Sequence, residues 1–223
     1  MVHAISASGH YATVRRDEFV RLFARAMPLH ALENIEAAYA FSKGAHRNQM
    51  RDDGVTRYFE HCKSVAWIIG RELEISDDWR LIVVALLHDA KEDTFLLSDR
   101  RIEINFGPVV RQAIDDLSKR ADETHAGYLL RLQEPAVDWR AMVVKLADRL
   151  QNLRTLGSCV PNKQDRKRAE TEALYIPMMD RWIAGGARDE RWLRSLIWLR
   201  GEIVKVCVPA VGGYPPSESN DPR

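Results

Sequence analysis

Thiols are scarce in this chain: Cys62, Cys159 and Cys207 are its 3 cysteines, an odd count with no CxxC spacing. That argues against a disulfide scaffold and fits free thiols in a reducing cytoplasm. Charge of one sign is missing as well. Lys and Arg number 33 against 32 Asp and Glu, a formal net charge of +1, so no global field favours nucleic acid or an anionic membrane. No apolar run approaches the roughly 18 residues of a bilayer span. The stretch Met1 to His10 lacks the basic and apolar regions of a leader. Internal repeats are absent, and strand-like alternation does not persist. These absences lead to the expectation of a cytoplasmic protein with no membrane or nucleic-acid partner, whose function lies in local sites.

What the sequence has is helical period. The chain of 223 residues can bury a sizeable core as one domain. Apolar spacing predicts helices near 17–27, 31–47, 61–73, 77–90, 100–104, 109–117, 125–132, 137–156, 163–183 and 190–208. Pro177 should bend the helix over 163–183 or mark a junction, and Asp77 and Asp78 suit a helix start. The expected fold is all-α, with roughly nine or ten helices in a single domain over 1–208. Residues 209–223, with Gly212-Gly213 and Pro215-Pro216, read as a disordered tail. Trp192 and Trp198 on the last helix suit either the core or an interface in a homo-oligomer.

The chain is organised around Leu86-Leu87-His88-Asp89-Ala90-Lys91-Glu92-Asp93-Thr94. As the end of a buried helix it stacks His88 over Glu92 and Asp89 over Asp93. An isolated His-Asp pair reads first as a core histidine held by a carboxylate. Three acidic groups crowded beside a histidine, however, call for a cation or solvent. On the later helix Asp148 and Asn152 share a face, while Arg149 falls beside them and reads as solvated or internally paired. If His61, His88, Asp89 and Asp148 came together, two imidazoles and two carboxylates without thiolate would suit a hard to borderline divalent ion such as Mn²⁺. Their spacing does not settle this, and buried polar contacts between helices remain the alternative.

Several separated motifs, in order, resemble the HD hydrolase domain of the RelA/SpoT homologues, the alarmone enzymes of the stringent response. They are Ala45 to Tyr58, His61, Leu86-Leu87-His88-Asp89 with Glu92-Asp93-Thr94, and Lys145-Leu146-Ala147-Asp148-Arg149-Leu150 with Asn152-Leu153-Arg154-Thr155-Leu156. The likeness continues through Lys163-Gln164, Glu170-Thr171 and Tyr175-Ile176-Pro177, covering about 30–182. It implies an HD-type helical fold and a hydrolase that removes the 3′-pyrophosphate of (p)ppGpp-like nucleotides, releasing pyrophosphate and GDP or GTP. It also implies manganese, with ligands falling on His61, His88, Asp89 and Asp148, and a catalytic acidic pair on Glu92 and Asp93. Nucleotide contacts fall on Arg51, Asn152, Thr155, Lys163 and Tyr175. The implied partner is a small-molecule nucleotide. The length resembles small single-domain alarmone hydrolases, without the synthetase and regulatory domains of the long members.

Departures from the family pattern sit around the site. Arg51-Asp52-Asp53-Gly54 puts an acidic side chain where the family usually has a lysine, and the stretch from Arg51 to His61 is one residue longer. Cys62 replaces a proline, and Gln151 replaces the histidine before the asparagine. The metal set is intact, but the loop over the nucleobase is altered. Adenosine alarmones are therefore carried as alternatives, along with an antitoxin to an alarmone synthetase and another HD phosphohydrolase acting on dNTPs or cyclic nucleotides.

Overall fold

Helical period in the sequence becomes helix in space. The computed structural model describes residues 14–93, 98–185 and 190–207, without the side chains of Glu92 and Asp93; the expected tail at 209–223 lies outside the described residues. Among the described residues there is no strand, only an isolated bridge pairing Met50 with Arg57. The helices are α1 Arg16–Arg21, α2 Leu29–Ala45, α3 Tyr58–Trp67, α4 Trp79–Leu87, α5 Ala90–Asp93 and α6 Asp99–Phe106. They continue as α7 Pro108–Leu117, α8 His125–Arg131, α9 Trp139–Arg154, α10 Pro161–Glu170, α11 Ile176–Ala184 and α12 Glu190–Cys207. A π-helical turn, Thr171–Tyr175, joins α10 to α11 as one rod, and α5 is a single turn. The all-α expectation holds.

The hub is α4. Every residue from Leu81 to Leu87 is buried, and the helix packs against α2, α3, α7 and α9. A helix apolar on all sides can only sit inside, so α4 is where the other helices meet. Truncating Leu86 to Ala in such a place costs about 2–5 kcal/mol. Asp78 caps the helix, accepting from the Leu81 amide at 3.2 Å. It also binds Arg140 Nε at 2.9 Å, which ties the start of α4 to the start of α9. At the other end of α9, Arg154 bridges Glu72 at 2.8 Å and Glu202 at 3.1 Å, fastening α9 to the π turn Ile68–Glu72 after α3 and to α12. Gly70 in that turn is required by packing, because a Cβ there would stand 2.4 Å from Phe23 Cε1.

Two expected elements differ in detail. The helix expected to run to Ala90 stops at Leu87, and α5 restarts at Ala90. The Ala85 carbonyl, which a continuing helix would give to the Asp89 amide, receives His88 Nδ1 at 2.8 Å. The junction expected at Pro177 is realised as the π turn just before it. Proline lacks an amide and crowds the carbonyl four residues back, and the wider turn accommodates both. Trp192 is buried against Trp139 and Trp182, with ring centroids 6.2 and 5.5 Å away, so it serves the core.

Candidate metal centre

Three helices bring the four expected residues together. His61 lies in the first turn of α3, His88 and Asp89 follow α4, and Asp148 lies in the middle of α9. Ligand atoms of His61, His88 and Asp148 lie within 4.8 Å of one another. His61 Nε2 stands 3.4 Å from Asp89 Oδ2 and 3.3 Å from Asp148 Oδ1. His88 Nε2 stands 3.1 Å from Asp89 Oδ2 and 4.0 Å from Asp148 Oδ1. Both histidine side chains are nearly enclosed, whereas that of Asp89 is 22% exposed, so the cluster opens to solvent on the Asp89 side.

Each ring is oriented from behind. His88 Nδ1 donates to the Ala85 carbonyl, and His61 Nδ1 donates to Gln151 Oε1 at 2.5 Å. Anchored through Nδ1, both rings turn Nε2 toward the carboxylates. This is how metal-binding imidazoles are commonly set. The carboxylates are braced as well. Asp89 Oδ2 accepts from the Tyr58 hydroxyl at 2.9 Å. Asp148 Oδ1 accepts from Asn152 Nδ2 at 2.5 Å, and its Oδ2 accepts from Lys145 Nζ at 3.0 Å.

The electrostatics ask for a cation. Burial alone would raise the Asp148 carboxyl, but Lys145, then His61 and His88, outweigh it and hold the group well below the usual carboxylate range. Asp89 is likewise driven low against its burial, chiefly by His88. Burial pulls the His88 imidazole down, yet Asp89 and then Asp148 push it up to about 9. The residues fit a divalent ion on a further ground. His88 Nε2 is buried and aimed into the cluster, where its nearest neighbour is Asp89 Oδ2 at 3.1 Å. Donors around a small divalent ion stand roughly 3 Å apart at neighbouring positions, close to the spacings here. This His/His/Asp grouping is a divalent-metal cluster by its chemistry. Cys62 also lies near His88 and Asp89. Complete burial, reinforced by Asp89, pushes its thiol pKa well up.

The expected nucleotide contacts divide by position. Arg51 Nη2 bonds Asn152 Oδ1 at 2.9 Å and Thr155 Oγ1 at 3.5 Å, with its guanidinium 5.5 Å from the Tyr58 ring centroid. Asn152 thus spans Arg51 and Asp148, and buried Thr155 steadies the arginine. Lys163 is bound to Asp52 Oδ2 at 2.6 Å, which also accepts from Cys159 Sγ at 3.2 Å. Tyr175 is fully buried; its hydroxyl lies 3.2 Å from His125 Nε2, and Arg149 stacks on its ring at 3.9 Å. In that placement the Tyr175 ring packs against His125 and Arg149. Arg149, internally paired as one of its two readings held, binds Glu170. His46 is buried, bonded to Gln49 at 2.6 Å and stacked on Tyr58, which is a packing role. Glu92 and Asp93 lie on α5, and their side chains are outside the described residues. The sequence reading missed Gln151 and Tyr58 as partners of the cluster. For Gln151 the available signal was its place on α9 one turn from Asp148.

Comparisons with known proteins agree with this geometry. A family model described as an HD domain matches residues 38–182. A GTP pyrophosphokinase of Myxococcus xanthus is 34% identical over 173 residues, covering 71% of this chain and 22% of the relative. The bifunctional (p)ppGpp synthase/hydrolase SpoT of Escherichia coli strain K12 is 31% identical over 163 residues, covering 70% of this chain and 22% of the relative. The chain thus spans about a fifth of the length of these curated relatives. A solved structure, reported as a metazoan ortholog of SpoT that hydrolyses ppGpp and plays a role in starvation responses, superposes with a TM-score of 0.55 at 24% identity. It covers 74% of this chain and 93% of its own. At that identity the likeness concerns the fold.

Proposed function

The chain belongs to the HD-domain family, in its RelA/SpoT-like branch, and from that membership we propose that it is a Mn²⁺-dependent hydrolase of the 3′-pyrophosphate of (p)ppGpp-like alarmones. The products are pyrophosphate and the 5′-di- or triphosphate nucleoside. The observation that carries the reading is the pair of imidazoles anchored through Nδ1, with both Nε2 atoms converging on Asp89 and Asp148. In this reading residues 1–208 form one catalytic domain.

His61, His88, Asp89 and Asp148 would hold the ion. When bound, it supplies Lewis-acid polarisation of phosphate and water. Tyr58 fixes the open carboxylate, Asp89, toward the cluster. Lys145 and Asn152 hold Asp148 ionised and oriented. Glu92 and Asp93, on the turn after the His-Asp pair, take the proton of the attacking water or give one to the leaving 3′-oxygen. Arg51, held by Asn152, Thr155 and Tyr58, presents its remaining guanidinium donors to the nucleotide. Lys163 contributes its charge at the rim once Asp52 shares it with a phosphate.

Asp52 favours a second reading of substrate choice. It stands where the resembling family usually has a lysine, so the charge beside the nucleobase is altered, and adenosine alarmones are the alternative it carries. The test is to incubate the purified protein and Mn²⁺ with guanosine and adenosine 3′-pyrophosphates side by side and identify the products. Pyrophosphate with an intact 5′-diphosphate from either one supports the reaction and ranks the bases. No turnover with Mn²⁺ demonstrably bound overturns it, and directs the search to dNTPs and cyclic nucleotides. Protection of cells from a toxic alarmone synthetase, if lost in a metal-site variant, would trace any antitoxin effect to hydrolysis.

A further inference from the structure

The two histidines of the cluster have their tautomers set by different means. A neutral imidazole carries one proton, on one nitrogen or the other, and only the bare nitrogen can bind a metal. At His88 the choice is made by a backbone carbonyl, that of Ala85. At His61 two sides compete. Asp148 Oδ1 at 3.3 Å and Asp89 Oδ2 at 3.4 Å draw the proton to Nε2, where it would bar a metal. Gln151 Oε1, 2.5 Å from Nδ1, draws it the other way. Gln151 is itself 2% exposed and His61 also 2%, so no water is at hand to replace the amide. The ring's edge faces Tyr58, with centroids 5.6 Å apart, and His88, with centroids 5.2 Å apart; these contacts limit its tilt but leave the proton undecided.

We propose that Gln151 is the positioning residue of the centre: by accepting from His61 Nδ1 it fixes the tautomer and rotation of that ring, and so sets the affinity for the divalent ion. The inference rests on the metal reading above and deepens it. Gln151 acts through His61 without touching ion or substrate. One replaceable amide therefore does for His61 what the main chain does for His88. Position 151, where the resembling family commonly carries histidine, becomes a place where metal affinity is tuned without changing a ligand.

The test compares Mn²⁺ affinity, by titration calorimetry on the full chain, for wild type, Gln151→Met and Gln151→Glu, alongside melting temperatures without metal. Gln151→Met keeps length and removes the acceptor; its affinity should fall about 10–100-fold. Its turnover should recover toward wild type when Mn²⁺ is raised to saturation. Gln151→Glu keeps an acceptor in reach and should bind at least as tightly as wild type. Should Gln151→Met fail to fold, Gln151→Ser, too short to reach the ring, carries the same expectation. Unchanged affinity in the variant without an acceptor, or equal losses in Gln151→Met and Gln151→Glu, overturns the proposal while leaving the metal reading intact. A wild-type protein that binds no Mn²⁺ overturns both.

Discussion

At the metal cluster the His61 imidazole and both carboxylates have a second partner inside the protein, while around Asp52 the partners stand half in solvent. The imidazole has Gln151 behind it, Asp148 has Lys145 and Asn152, and Asp89 has Tyr58. The Asp52–Lys163 pair is exposed to 44% and 35% along its side chains and is held by little besides Cys159. Asp53 shapes the same loop, accepting from the Val55 and Thr56 amides at 2.9 and 2.8 Å. Enclosed groups reinforce one another because no water competes, so the centre tolerates little change. A screened surface pair contributes little to stability and can be remade. The metal cluster is thus placed where the protein is least adjustable, and the Asp52 loop where it is most so.

The sharpest way to break this contrast is Asp148→Asn at the centre. Mn²⁺ binding and turnover should both fall to background while the helical far-UV signal is kept; persistent metal-dependent turnover would remove the ion from this cluster. Next comes Arg51→Ala, at the seam where the loop meets Asn152. Loss of a charged hydrogen-bonding group should raise KM and lower kcat/KM by about 10–100-fold, with Mn²⁺ affinity little changed. A matching fall in metal affinity would show that the seam belongs to the centre.

Smaller is the effect expected of Glu170→Gln, behind the centre. The His125 contact, and then Arg149, hold the Glu170 carboxyl well below its ordinary value of 4.5. A depressed carboxylate contributes stability above its unfolded pKa and loses it as pH falls through the folded one. Wild type should therefore lose melting temperature on acidification from about pH 4.5 downward more steeply than Glu170→Gln. Parallel curves would count against the pairing. Smallest of all is Asp52→Asn, where stability should stay within about 1 kcal/mol of wild type. The ratio of guanosine to adenosine turnover, and its dependence on salt, should nevertheless move; an unchanged ratio would strip the rim of its part in selection.

Most helices were legible in the sequence because burying one face of a helix imposes a period, as with Leu146, Leu150 and Leu153 in α9. The helix ends were less so. His88 stops α4 through a side-chain contact with Ala85 that no periodicity encodes. Of the site, the two histidines and two aspartates came from motif order; spacing alone left them ambiguous. Gln151 drew notice only as a departure from the family's histidine, because its contact with His61, 90 positions away, is not encoded in local pattern. Lys163 and Tyr175 were assigned to the nucleotide by resemblance to a motif, whereas the contacts they make here, with Asp52 for the one and with Arg149 and His125 for the other, join stretches distant in the chain.

The wide turn Thr171–Tyr175 works as a phase shift in a periodic object. An extra residue in one helical turn advances everything beyond it by about 100°. Upstream of the turn α10 buries nothing, while downstream Met178 and Met179 are packed inside. One inserted residue thus lets a single rod run along the surface and then present an apolar face to the core. Deleting a residue from this stretch would restore an ordinary helix and rotate those methionines out of register, so the segment tolerates substitution more readily than a change in length.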